Sequence, residues 1–510
     1  MGVDQADSIP SRTLIVLAAG EGKRMKSALP KVLHPLLGRT VLGHVLTAAR
    51  QGLGADCQVM VVVGHGADQV RGHLAEIAPD ARSVVQAEQR GTGHAVRMVT
   101  ESVDDLRGSV VVVNGDFPLV RPATLVGLVE AHEAAGAAAT ILTAQVPNPS
   151  GMGRILRGAT GAVQRIVEER DATADERAIR EINAGAYVFD AASLRQMLGK
   201  LGSDNDQGEE YLTDVVGLLV ADGYPVQAHQ AVDPTEVLGC NDRAELAVLR
   251  AVLRDRINLE WMRSGVSIID PATTWIDVTV TLGRDAVVEP NTHLRGATSV
   301  GEGAVVGPDT TIADSVVADG AVVVRAHVLG AEIGPQAQVG PYAYLRPDSR
   351  LAAKAKVGTF VETKKAEIGA GAKVPHLSYV GDATIGEGTN IGAATVFVNY
   401  DGVNKHRTTI GSHARTGADN MFVAPVSVGD GAYTAAGSII TRDVPAGALG
   451  VGRAPQRNVD DWVPRKRPGT ASAEAAMAAK AVDGPEATVD SEVSHPATTS
   501  AEVGPRSDEE

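Results

Sequence analysis

Residues 282–312 read LGRDAVVEPNTHLRGATSVGEGAVVGPDTTI, and an aliphatic side chain returns at every sixth position of this stretch. The repeating positions are Leu282, Val288, Leu294, Val300, Val306 and Ile312. A period of six fits neither an α-helix nor a β-sandwich. It is typical of a parallel β-helix, in which each hexad supplies a short strand and a turn. The stretch therefore predicts a stack of coils with the aliphatic column inside.

The same repeat extends on both sides of this stretch. It begins at Ile276 and returns in three later runs, over residues 333–357, 385–397 and 410–440. The phase breaks near residues 361–367, 375–382 and 399–409. Because an inserted segment must leave the coil as a loop, and such loops often carry binding residues, we predict functional loops at these breaks. Their candidate side chains are Glu362, Lys364, His376, Tyr379, Asn399, Tyr400 and Lys405.

The composition limits the functions that the chain can have. Its 510 residues are enough for about three domains. Glycine accounts for 56 residues whereas aromatic residues make up only 3%, which favours a turn-rich fold over an aromatic core. The net charge of −15 argues against general nucleic-acid binding and against binding to an anionic membrane surface.

Cysteine usage and the N-terminus bear on the cellular compartment. The two cysteines, Cys57 and Cys240, are too few for a disulfide framework and suit a reducing cytosol. The N-terminal segment MGVDQADSIP lacks the basic and apolar regions of a secretion signal. No apolar run approaches the ~18 residues of a membrane span. We therefore expect a soluble cytoplasmic protein.

The chain up to about residue 240 alternates Val-rich runs with amphipathic segments. The runs at 14–17, 59–63 and 110–113 end in Gly or a polar turn, and a helical pattern over 41–49 follows the first. This alternation predicts an α/β domain around a mainly parallel sheet. Ligands of such sheets bind beyond the carboxyl ends of the strands, so the residues after each run are the candidates for binding.

Residues 17–25, LAAGEGKRM, follow the first run, and Pro30 and Lys31 come shortly afterwards. Small residues let backbone N–H groups approach a phosphate, and Arg24 with Lys31 would offset its charge. The dinucleotide fingerprint fails because Met25 takes the place of the third Gly, and the Walker pattern is absent. Taken alone, an ordinary tight turn explains the stretch equally well.

Two other strand ends carry candidate side chains. Asn114, Gly115 and Asp116 follow the third run, and the Asp116 carboxylate suits Mg²⁺, which prefers one or two protein oxygens together with phosphate oxygens and water. On its own, an Asp after a strand is usually a turn or cap residue. Residues 86–94, QAEQRGTGH, offer amides and a Gly-Thr turn suited to the edge of a base.

Together these segments resemble the sugar-phosphate nucleotidyltransferases, whose pattern LAAGxGxRM and PK is met by residues 17–25 and 30–31. Four more segments resemble the uridyltransferases that act on N-acetylglucosamine 1-phosphate, namely residues 151–154, 167–168, 181–183 and 239–243. The resemblance implies a Rossmann-like domain over residues 12–240. In its reaction the sugar 1-phosphate attacks the α-phosphorus of UTP and expels pyrophosphate. At position 242 the chain has Asp where that family normally has Asn.

The resemblance also implies roles for single residues. Lys31 and Arg24 would align the phosphates and neutralise their charge. Asp116 and Asn241 would hold Mg²⁺. The uracil would meet Gln86, Gly91 and Thr92, the sugar would meet Gly153, Glu168 and Asn183, and the remaining nucleotide contacts would be Leu17, Ala18, Ala19, Gly20, Asn114 and Gly115. His94 is interpreted as structural because this transfer needs no imidazole base.

Residues 241–264 connect two unlike halves of the chain. Leucines and isoleucine recur there at helical spacing, at Leu246, Leu249, Leu253 and Ile257, and Gly265 supplies a stop. We expect one helix on the order of 30 Å long that separates two active sites.

Residues 340–453 resemble the glucosamine-1-phosphate acetyltransferase half of the bacterial bifunctional enzymes that make UDP-N-acetylglucosamine. The whole resemblance covers about residues 12–462. It implies a left-handed β-helix over residues 265–464 and a homotrimer with active sites between subunits. His376 would be the general base that takes a proton from the glucosamine nitrogen while the amine attacks acetyl-CoA.

The other residues of this half are assigned position by position. The contacts to glucosamine 1-phosphate would be Arg346, Glu362, Lys364, Tyr379 and Asn390. The contacts to acetyl-CoA would be Ala393, Asn399, Tyr400, Ala418, Ala436 and Arg453. Ala418 stands where the family usually has a Ser that contacts the cofactor. We therefore predict that acetyl transfer is retained and that the affinity for CoA is altered.

The two ends of the chain differ from the rest. Residues 468–510 contain nine acidic and two basic side chains and no aromatic one, so they bury little apolar area. We predict a disordered acidic tail over 465–510, with a tail that binds an unknown partner as the alternative. Residues 1–11 are predicted to be a flexible N-terminus.

Three functions are compatible with these sequence features. The first is a bifunctional enzyme, and the second is a single-activity nucleotide-sugar pyrophosphorylase whose β-helix is structural or regulatory. The third is a noncatalytic scaffold. The joint presence of Lys364 and His376 disfavours the second function, and Lys31 with Asp116 disfavours the third.

Overall fold

The computed structural model describes residues 12–104 and 106–482. The predicted flexible segment 1–11 and the end of the predicted tail, residues 483–510, lie outside the described residues. The chain forms two compact units, one ending at Gly452 and the other beginning at Arg453. Within the described ranges, no helix combines the length and the apolar character needed to cross a membrane.

Over residues 12–104 and 106–263 the chain forms eleven strands and eight α-helices. The strands are β1 (Arg12–Ala18), β2 (Pro35–Leu36), β3 (Arg39–Thr40), β4 (Gln58–Val63), β5 (Arg82–Val85), β6 (Ser109–Asn114), β7 (Ala139–Gln145), β8 (Arg154–Arg157), β9 (Val163–Val167), β10 (Glu181–Asp190) and β11 (Val226–Gln230). The helices are α1 (Val41–Leu53), α2 (Ala67–Ile77), α3 (Thr92–Ser102), α4 (Pro122–Ala135), α5 (Ala174–Arg177), α6 (Ala191–Leu198), α7 (Leu212–Ala221) and α8 (Arg243–Arg263). Short 3-10 helices occupy Lys23–Met25, Lys31–Leu33 and Pro234–Val237.

Nine of these strands form one mixed sheet, in which the three predicted Val-rich runs become β1, β4 and β6. The central strand β1 lies between β4 and β6, parallel to both. Strand β10 runs antiparallel to β6, an orientation that the sequence did not predict. It brings the beginning of β10 to the carboxyl end of β6, so β10 adds side chains to the edge where the parallel strands end.

Helix α8 spans Arg243–Arg263 and confirms the predicted single helix between the two halves. Its buried apolar side chains include the four residues recognised by their spacing, Leu246, Leu249, Leu253 and Ile257. They belong to the same apolar cluster as the first coils of the second half. The helix therefore also packs against the β-helix and contributes to its stability.

The second half is a parallel β-helix, as the hexad repeat predicted. Aliphatic side chains stack from coil to coil in register, as in the pairs Ile276 with Leu294 and Leu294 with Ile312. These three side chains have no exposed surface, and burying such a column is the main contribution to stability. Nearly all strands are two to four residues long because each hexad supplies one short strand and a turn.

The strands of this half all pair in parallel. They are β12 (Ser267–Ile268), β13 (Trp275–Ile276), β14 (Thr281–Leu282), β15 (Val287–Val288), β16 (Thr292–Arg295), β17 (Ser299–Val300), β18 (Val305–Val306), β19 (Thr310–Ala313), β20 (Val316–Val317), β21 (Val322–Val323), β22 (Ala326–Leu329), β23 (Glu332–Ile333), β24 (Gln338–Val339), β25 (Ala343–Leu345), β26 (Arg350–Leu351), β27 (Lys356–Thr359), β28 (Glu362–Ile368), β29 (Lys373–His376), β30 (Tyr379–Ile385), β31 (Val396–Val398), β32 (Thr408–Ile410), β33 (Met421–Val423), β34 (Val426–Val428), β35 (Tyr433–Thr434), β36 (Ile439–Ile440) and β37 (Leu449–Gly450).

Only one of the three phase breaks leaves the coil as a loop. Residues 361–367 and 375–382 lie largely in strands β28 to β30, and Glu362 pairs with Tyr379 in register. The loops predicted at these two breaks are therefore wrong, because a coil one residue shorter keeps its strands stacked. Phe397, in contrast, pairs with Phe422, which leaves room between those coils for a loop around residues 399–407.

The second unit begins with an irregular segment and two helices. These are α9 (Trp462–Lys466) and α10 (Ala471–Val482), and the Lys480 ammonium donates to the Asp461 carboxylate at 2.6 Å. Over residues 465–482 the structure thus differs from the predicted disorder. The reason is local, because the Ala-rich segment over 471–482 has a high intrinsic helix propensity that the charge argument ignored.

Candidate functional sites

The first candidate site lies at the carboxyl ends of β1, β4 and β6. The backbone N–H of Gly115 donates to the carbonyl of Leu17 at 2.9 Å, and that of His65 donates to the carbonyl of Ala19 at 3.2 Å. The predicted nucleotide-binding segments 17–20 and 114–116 therefore lie side by side, as the sheet topology requires.

Lys31 connects the two residues predicted to bind the metal. Its Nζ lies 2.5 Å from Oδ2 of Asp116 and 3.4 Å from Oδ1 of Asn241. The side chains of Lys31 and Asp116 are only 15% and 17% exposed, so little water screens the pair. Three residues from distant parts of the chain thus meet at one point beside the strand ends.

Glu245 orients Asn241 and was not found from the sequence. Its Oε2 accepts hydrogen bonds from the backbone N–H of Asn241 at 2.6 Å and from Nδ2 of the same residue at 3.2 Å. Because the amide nitrogen is held by Glu245, Oδ1 of Asn241 faces Lys31. The signal in the sequence was a Glu three residues after a capping residue.

The contacts of Asp242 explain why the chain tolerates Asp at the position where the family normally has Asn. Its Oδ1 accepts from the backbone N–H groups of Ala244 and Glu245, both at 2.9 Å, so it is the N-cap of α8. Asn and Asp cap helices about equally well, and the negative charge favours the helix N-terminus. The neighbouring Asn241 is unaffected.

The oxygen atoms of Asp116 and Asn241 fit a divalent cation. Both oxygens lie within 3.4 Å of the Lys31 ammonium, so they converge on one location where a positive charge is already bound. Mg²⁺ commonly takes one or two protein oxygens and completes its shell with water and phosphate oxygens. The two residues are therefore sufficient as protein ligands.

The segment predicted to read the base is held by Glu210. The backbone N–H of Gly93 donates to the Glu210 carbonyl at 2.8 Å, and the backbone N–H of Glu210 donates to the carbonyl of Arg90 at 2.8 Å. Its carboxylate forms ion pairs of 2.6 Å with Arg90 and Arg97. Gly91 has φ +106°, and a Cβ there would lie 2.4 Å from the Glu210 carbonyl oxygen, so only Gly fits.

Gln86 and Thr92 are partly engaged by the protein. Nε2 of Gln86 donates to the Gly91 carbonyl at 3.0 Å and lies 3.1 Å from Nδ1 of His94. The Thr92 hydroxyl accepts from the backbone N–H of Leu212 at 3.0 Å. His94 is buried and supports Gln86, which agrees with its structural interpretation.

The three residues predicted to hold the sugar also lie together. Asn183 donates its backbone N–H to the Gly153 carbonyl at 2.8 Å, and a Cβ on Gly153 would lie 3.4 Å from the Glu168 carboxylate. Burial raises the pKa of Glu168, and a hydrogen bond of 3.1 Å from Thr213 opposes the shift. Nδ2 of Asn183 donates to the Tyr187 hydroxyl at 2.6 Å.

Arg24 and Gly20 lie on the loop after β1, and both are exposed. Arg24 is part of the 3-10 helix Lys23–Met25. Within the described ranges its guanidinium has no ion pair with a carboxylate, so the structure leaves it available to an anion. It is not brought into contact with Lys31.

The second candidate site lies on the β-helix around strands β25, β28 and β30. Arg346 donates from Nη1 to Oε1 of Glu362 at 2.9 Å, and both side chains are more than a third exposed. Glu362 pairs in register with Tyr344 on one side and with Tyr379 on the other. Arg346, Glu362 and Tyr379 thus occupy neighbouring coils of one sheet.

Lys364 and Lys405 form a cationic pair at the same site. Lys405, on the loop that leaves the coil, is the largest cause of a lowered pKa at Lys364, and Arg346 lowers it further. The Asp382 carboxylate acts in the opposite direction. Cations held this close favour an anion between them, which gives Lys405, a candidate from the third phase break, a place beside Lys364.

Asn399 lies where the loop leaves the coil. Its Nδ2 donates to Oδ2 of Asp382 at 2.5 Å and lies 3.5 Å from the Tyr379 hydroxyl. Tyr400 is exposed and donates to the Gly402 carbonyl at 2.6 Å. Asn399 thus lies beside Tyr379, a predicted sugar-phosphate contact, which its assignment to acetyl-CoA alone did not predict.

His376 ends strand β29 with an exposed imidazole. Its backbone carbonyl accepts from Ser378 at 2.8 Å and from the N–H of Ala394 at 3.2 Å. Asn390 lies on the other sheet, between Lys373 and Arg415 in register. The structure does not bring Asn390 into contact with Arg346 or Tyr379.

Three alanines predicted to line the acetyl-CoA site form a column at one corner of the β-helix. Asp419 donates its N–H to the carbonyl of Ala393 at 2.7 Å, and Gly437 donates to that of Ala418 at 2.8 Å. Ala436 follows one coil later, so these small side chains stack along the surface. Arg453, the last predicted contact, begins the second unit and is exposed.

Comparisons with known proteins agree with both halves. Residues 14–200 match the MobA-like NTP transferase domain family. The chain is 59% identical to the bifunctional protein GlmU of Streptomyces avermitilis over 92% of this chain and 98% of that protein. It is 53% identical to the bifunctional protein GlmU of Corynebacterium efficiens over 92% of this chain and 97% of that protein.

A UDP-glucose pyrophosphorylase solved with UDP-glucose aligns with 48% of this chain and 99% of its own, at 15% identity and a TM-score of 0.40. The GlmU proteins match nearly the full length at more than 50% identity. They confirm the predicted membership: the chain belongs to the GlmU family of bifunctional uridyltransferase/acetyltransferases.

Proposed function

We propose that this enzyme acetylates glucosamine 1-phosphate with acetyl-CoA and then transfers UMP from UTP to the product, giving UDP-N-acetylglucosamine and pyrophosphate. The observation that carries the proposal is the presence, in one member of the GlmU family, of two separate polar sites. One is Lys31 with Asp116 and Asn241 on the α/β domain, and the other is Arg346 with Lys364 on the β-helix. The proposed domains are 12–240, 241–264 and 265–464.

In the uridylyl step the protein aligns two phosphate-bearing substrates. Lys31 and Arg24 offset the negative charge that accumulates around the α-phosphorus, and the backbone N–H groups of residues 17–20 approach the phosphates. Asp116 and Asn241 are the residues that would hold Mg²⁺, which neutralises phosphate charge when bound. Glu168 and Asn183 hold the sugar so that its phosphate oxygen attacks in line and pyrophosphate leaves.

In the acetyl step the cations Arg346, Lys364 and Lys405 bind the sugar phosphate. His376 accepts a proton from the glucosamine nitrogen, the nitrogen forms the amide bond to the acetyl carbon, and the CoA sulfur leaves as thiolate. An exposed imidazole suits this role because it must meet a substrate amine. The column of Ala393, Ala418 and Ala436 offers space for a long cofactor.

An exposed apolar column supports the proposed homotrimer. Tyr342, Phe360 and Leu377 stack on successive corners of the β-helix, each about 60% exposed, and the Tyr342 and Phe360 rings lie 5.4 Å apart. Contiguous apolar surface of this kind marks interaction sites in soluble proteins. Association around this column would cover it and place neighbouring subunits next to His376, which directly precedes Leu377.

The two cysteines support the predicted cytoplasmic location. Both cysteines, Cys57 and Cys240, are buried and free, and burial raises the pKa of each thiol to about 11. Unreactive free thiols suit a reducing compartment such as the cytoplasm.

One reaction tests the proposed function. The purified protein is incubated with glucosamine 1-phosphate, acetyl-CoA, UTP and Mg²⁺, while free thiol and pyrophosphate are measured separately. We expect thiol release followed by pyrophosphate. Pyrophosphate that appears only with N-acetylglucosamine 1-phosphate, without thiol release, would overturn the acetyltransferase and leave a pyrophosphorylase with a structural β-helix.

A further inference from the structure

A large cleft lies where the α/β domain, helix α8 and the first coils of the β-helix meet. Its volume is about 980 Å³, enough for a ligand the size of a nucleotide or larger. It is lined by the β2–β3 hairpin, by α1 and α2, by Arg250 of α8 and by Asp277, Arg295 and Gly296 of the β-helix. It contains none of the residues assigned to either reaction.

The junction around this cleft is closely built. The backbone N–H of Val278 donates to the Leu37 carbonyl at 3.0 Å, which ties the hairpin to the first coil. Gly38 has φ +89°, and a Cβ there would lie 2.8 Å from Cβ of Asp277. The cleft is therefore a feature of the packed junction between the two halves.

Four arginines face one carboxylate in the lining. Arg50 is paired with Asp80, and Arg250 donates to the backbone carbonyl of Pro35 at 3.0 Å. Among the described residues, Arg39, Arg250 and Arg295 form no ion pair with a carboxylate, although Arg295 and Asp277 attract each other at longer range. Because Arg50 is balanced by Asp80, the lining holds three further guanidinium groups against the single Asp277 carboxylate, which leaves a local positive charge.

The charged rim surrounds apolar surface. Leu37, Leu46 and Ile77 line the same cleft, and the Thr40 hydroxyl lies 2.8 Å from Nε2 of His73 beside them. The guanidinium fork binds phosphate or carboxylate groups in a bidentate manner. An apolar floor beside such forks favours an anion that also carries an apolar or aromatic body.

We infer that this cleft is a binding site for a small organic anion, one whose phosphate or carboxylate group is carried on an apolar or ring-shaped body. The ligand contacts both halves of the protein and the hairpin that follows Lys31 in the chain. This site shares no residue with the sites of the two reactions, so a test of it does not depend on either activity.

Fluorescence titration of the full-length protein with anilinonaphthalene sulfonate tests this site, since that probe joins an anionic group to aromatic rings. We expect saturable binding that weakens about tenfold or more in the double variant Arg39→Gln/Arg295→Gln, because two charge-assisted contacts are lost. The matched control Arg350→Gln removes an exposed arginine of the β-helix and should bind like the parent. Equal affinities in the double variant and the control would overturn the inference.

A second variant keeps the charges and fills the space. Thr47→Phe, on α1, places a ring in the cleft and should also weaken probe binding, whereas unchanged binding would show that the probe sits elsewhere. Displacement then identifies the ligand group: phenyl phosphate stronger than benzoate indicates phosphate, and the reverse indicates carboxylate. Displacement by inorganic phosphate as strong as by phenyl phosphate would overturn the need for an apolar body.

Discussion

Nζ of Lys31 lies 2.5 Å from Oδ2 of Asp116, although 85 residues separate them in the chain. Lys31 belongs to a 3-10 helix after β1, and Asp116 follows β6, so the parallel pairing of β1 with β6 brings them together. The Lys31 ammonium thus lies against the carboxylate that we assign to Mg²⁺ and offsets its charge.

The substitution Asp116→Ala should remove uridylyl transfer alone. Loss of a charged group that stabilises the reacting phosphates lowers kcat by about 100-fold or more. Separate assays of pyrophosphate and thiol release check this, with the exposed Asp68→Ala on α2 as the control. A parallel fall in acetyl transfer would contradict the assignment to two independent sites.

Glu245 should act as a positioning residue for Asn241. In Glu245→Ala the amide of Asn241 loses its partner, and the Mg²⁺ concentration that gives half-maximal uridylyl transfer should rise about 10- to 100-fold. Glu245→Gln retains an acceptor and should restore most of the affinity. If both variants keep the parent's dependence on Mg²⁺, Glu245 does not position Asn241 for the metal.

Lys405 should control the charge of Lys364. In the parent enzyme the pKa of Lys364 is lowered, so Lys364 loses its proton, and the site loses affinity for the sugar phosphate, at a lower pH than an ordinary lysine would allow. In Lys405→Met the KM for glucosamine 1-phosphate should rise at pH 7, because one cation is lost. The alkaline increase of KM should nevertheless move to higher pH, because the pKa of Lys364 rises.

The measurement is the pH profile of KM for acetyl transfer in the parent and in Lys405→Met. Lys354→Met, at an exposed corner of the same β-helix, is the control and should leave the profile unchanged. An alkaline limb that stays in place would show that Lys364 does not titrate in this range.

His376→Asn should abolish acetyl transfer and leave uridylyl transfer intact. Loss of a general base costs about 100- to 10,000-fold in rate. His413→Asn is a matched control, since His413 is an exposed histidine of the β-helix and Asn tolerates its φ of +55°. Loss of both activities in His376→Asn would contradict the two-site proposal.

Ala418→Ser tests the departure from the family pattern. The added hydroxyl would lie in the column with Ala393 and Ala436, and one hydrogen bond to CoA is worth about 1 kcal/mol, or roughly fivefold in Kd. Calorimetric titration with CoA measures it, with the exposed Ala297→Ser as the control. An unchanged Kd would mean that this position makes no contact with the cofactor.

The local sequence pattern predicted many of the strands and helices. The Val-rich run at 14–17 became β1 (Arg12–Ala18), and the spacing of leucines over 241–264 became α8 (Arg243–Arg263). Both signals come from periodic burial of side chains and act within a few residues. The helix over 471–482 was overlooked because acidic composition was weighed above the helix propensity of alanine.

Whether a phase break forms a loop or stays in a strand could not be predicted, because this depends on how the coils stack on one another. A deleted residue at 361–367 or 375–382 interrupts the hexad count, yet β28 and β30 remain in register. Backbone hydrogen bonds between coils tolerate a shorter corner as long as the strands align. Only the larger insertion after Phe397 exceeds what a corner absorbs.

The sequence by itself determined the two folds, because a period of six and an alternation of strands and helices each require a specific burial pattern. It also determined which residues are chemically able to act. The tertiary structure alone decided which of them meet: Lys31 with Asn241 across 210 residues, Glu245 with Asn241, and Arg39 with Arg295 around one cleft. Such meetings depend on how separate elements pack, and no local spacing encodes the distance between them.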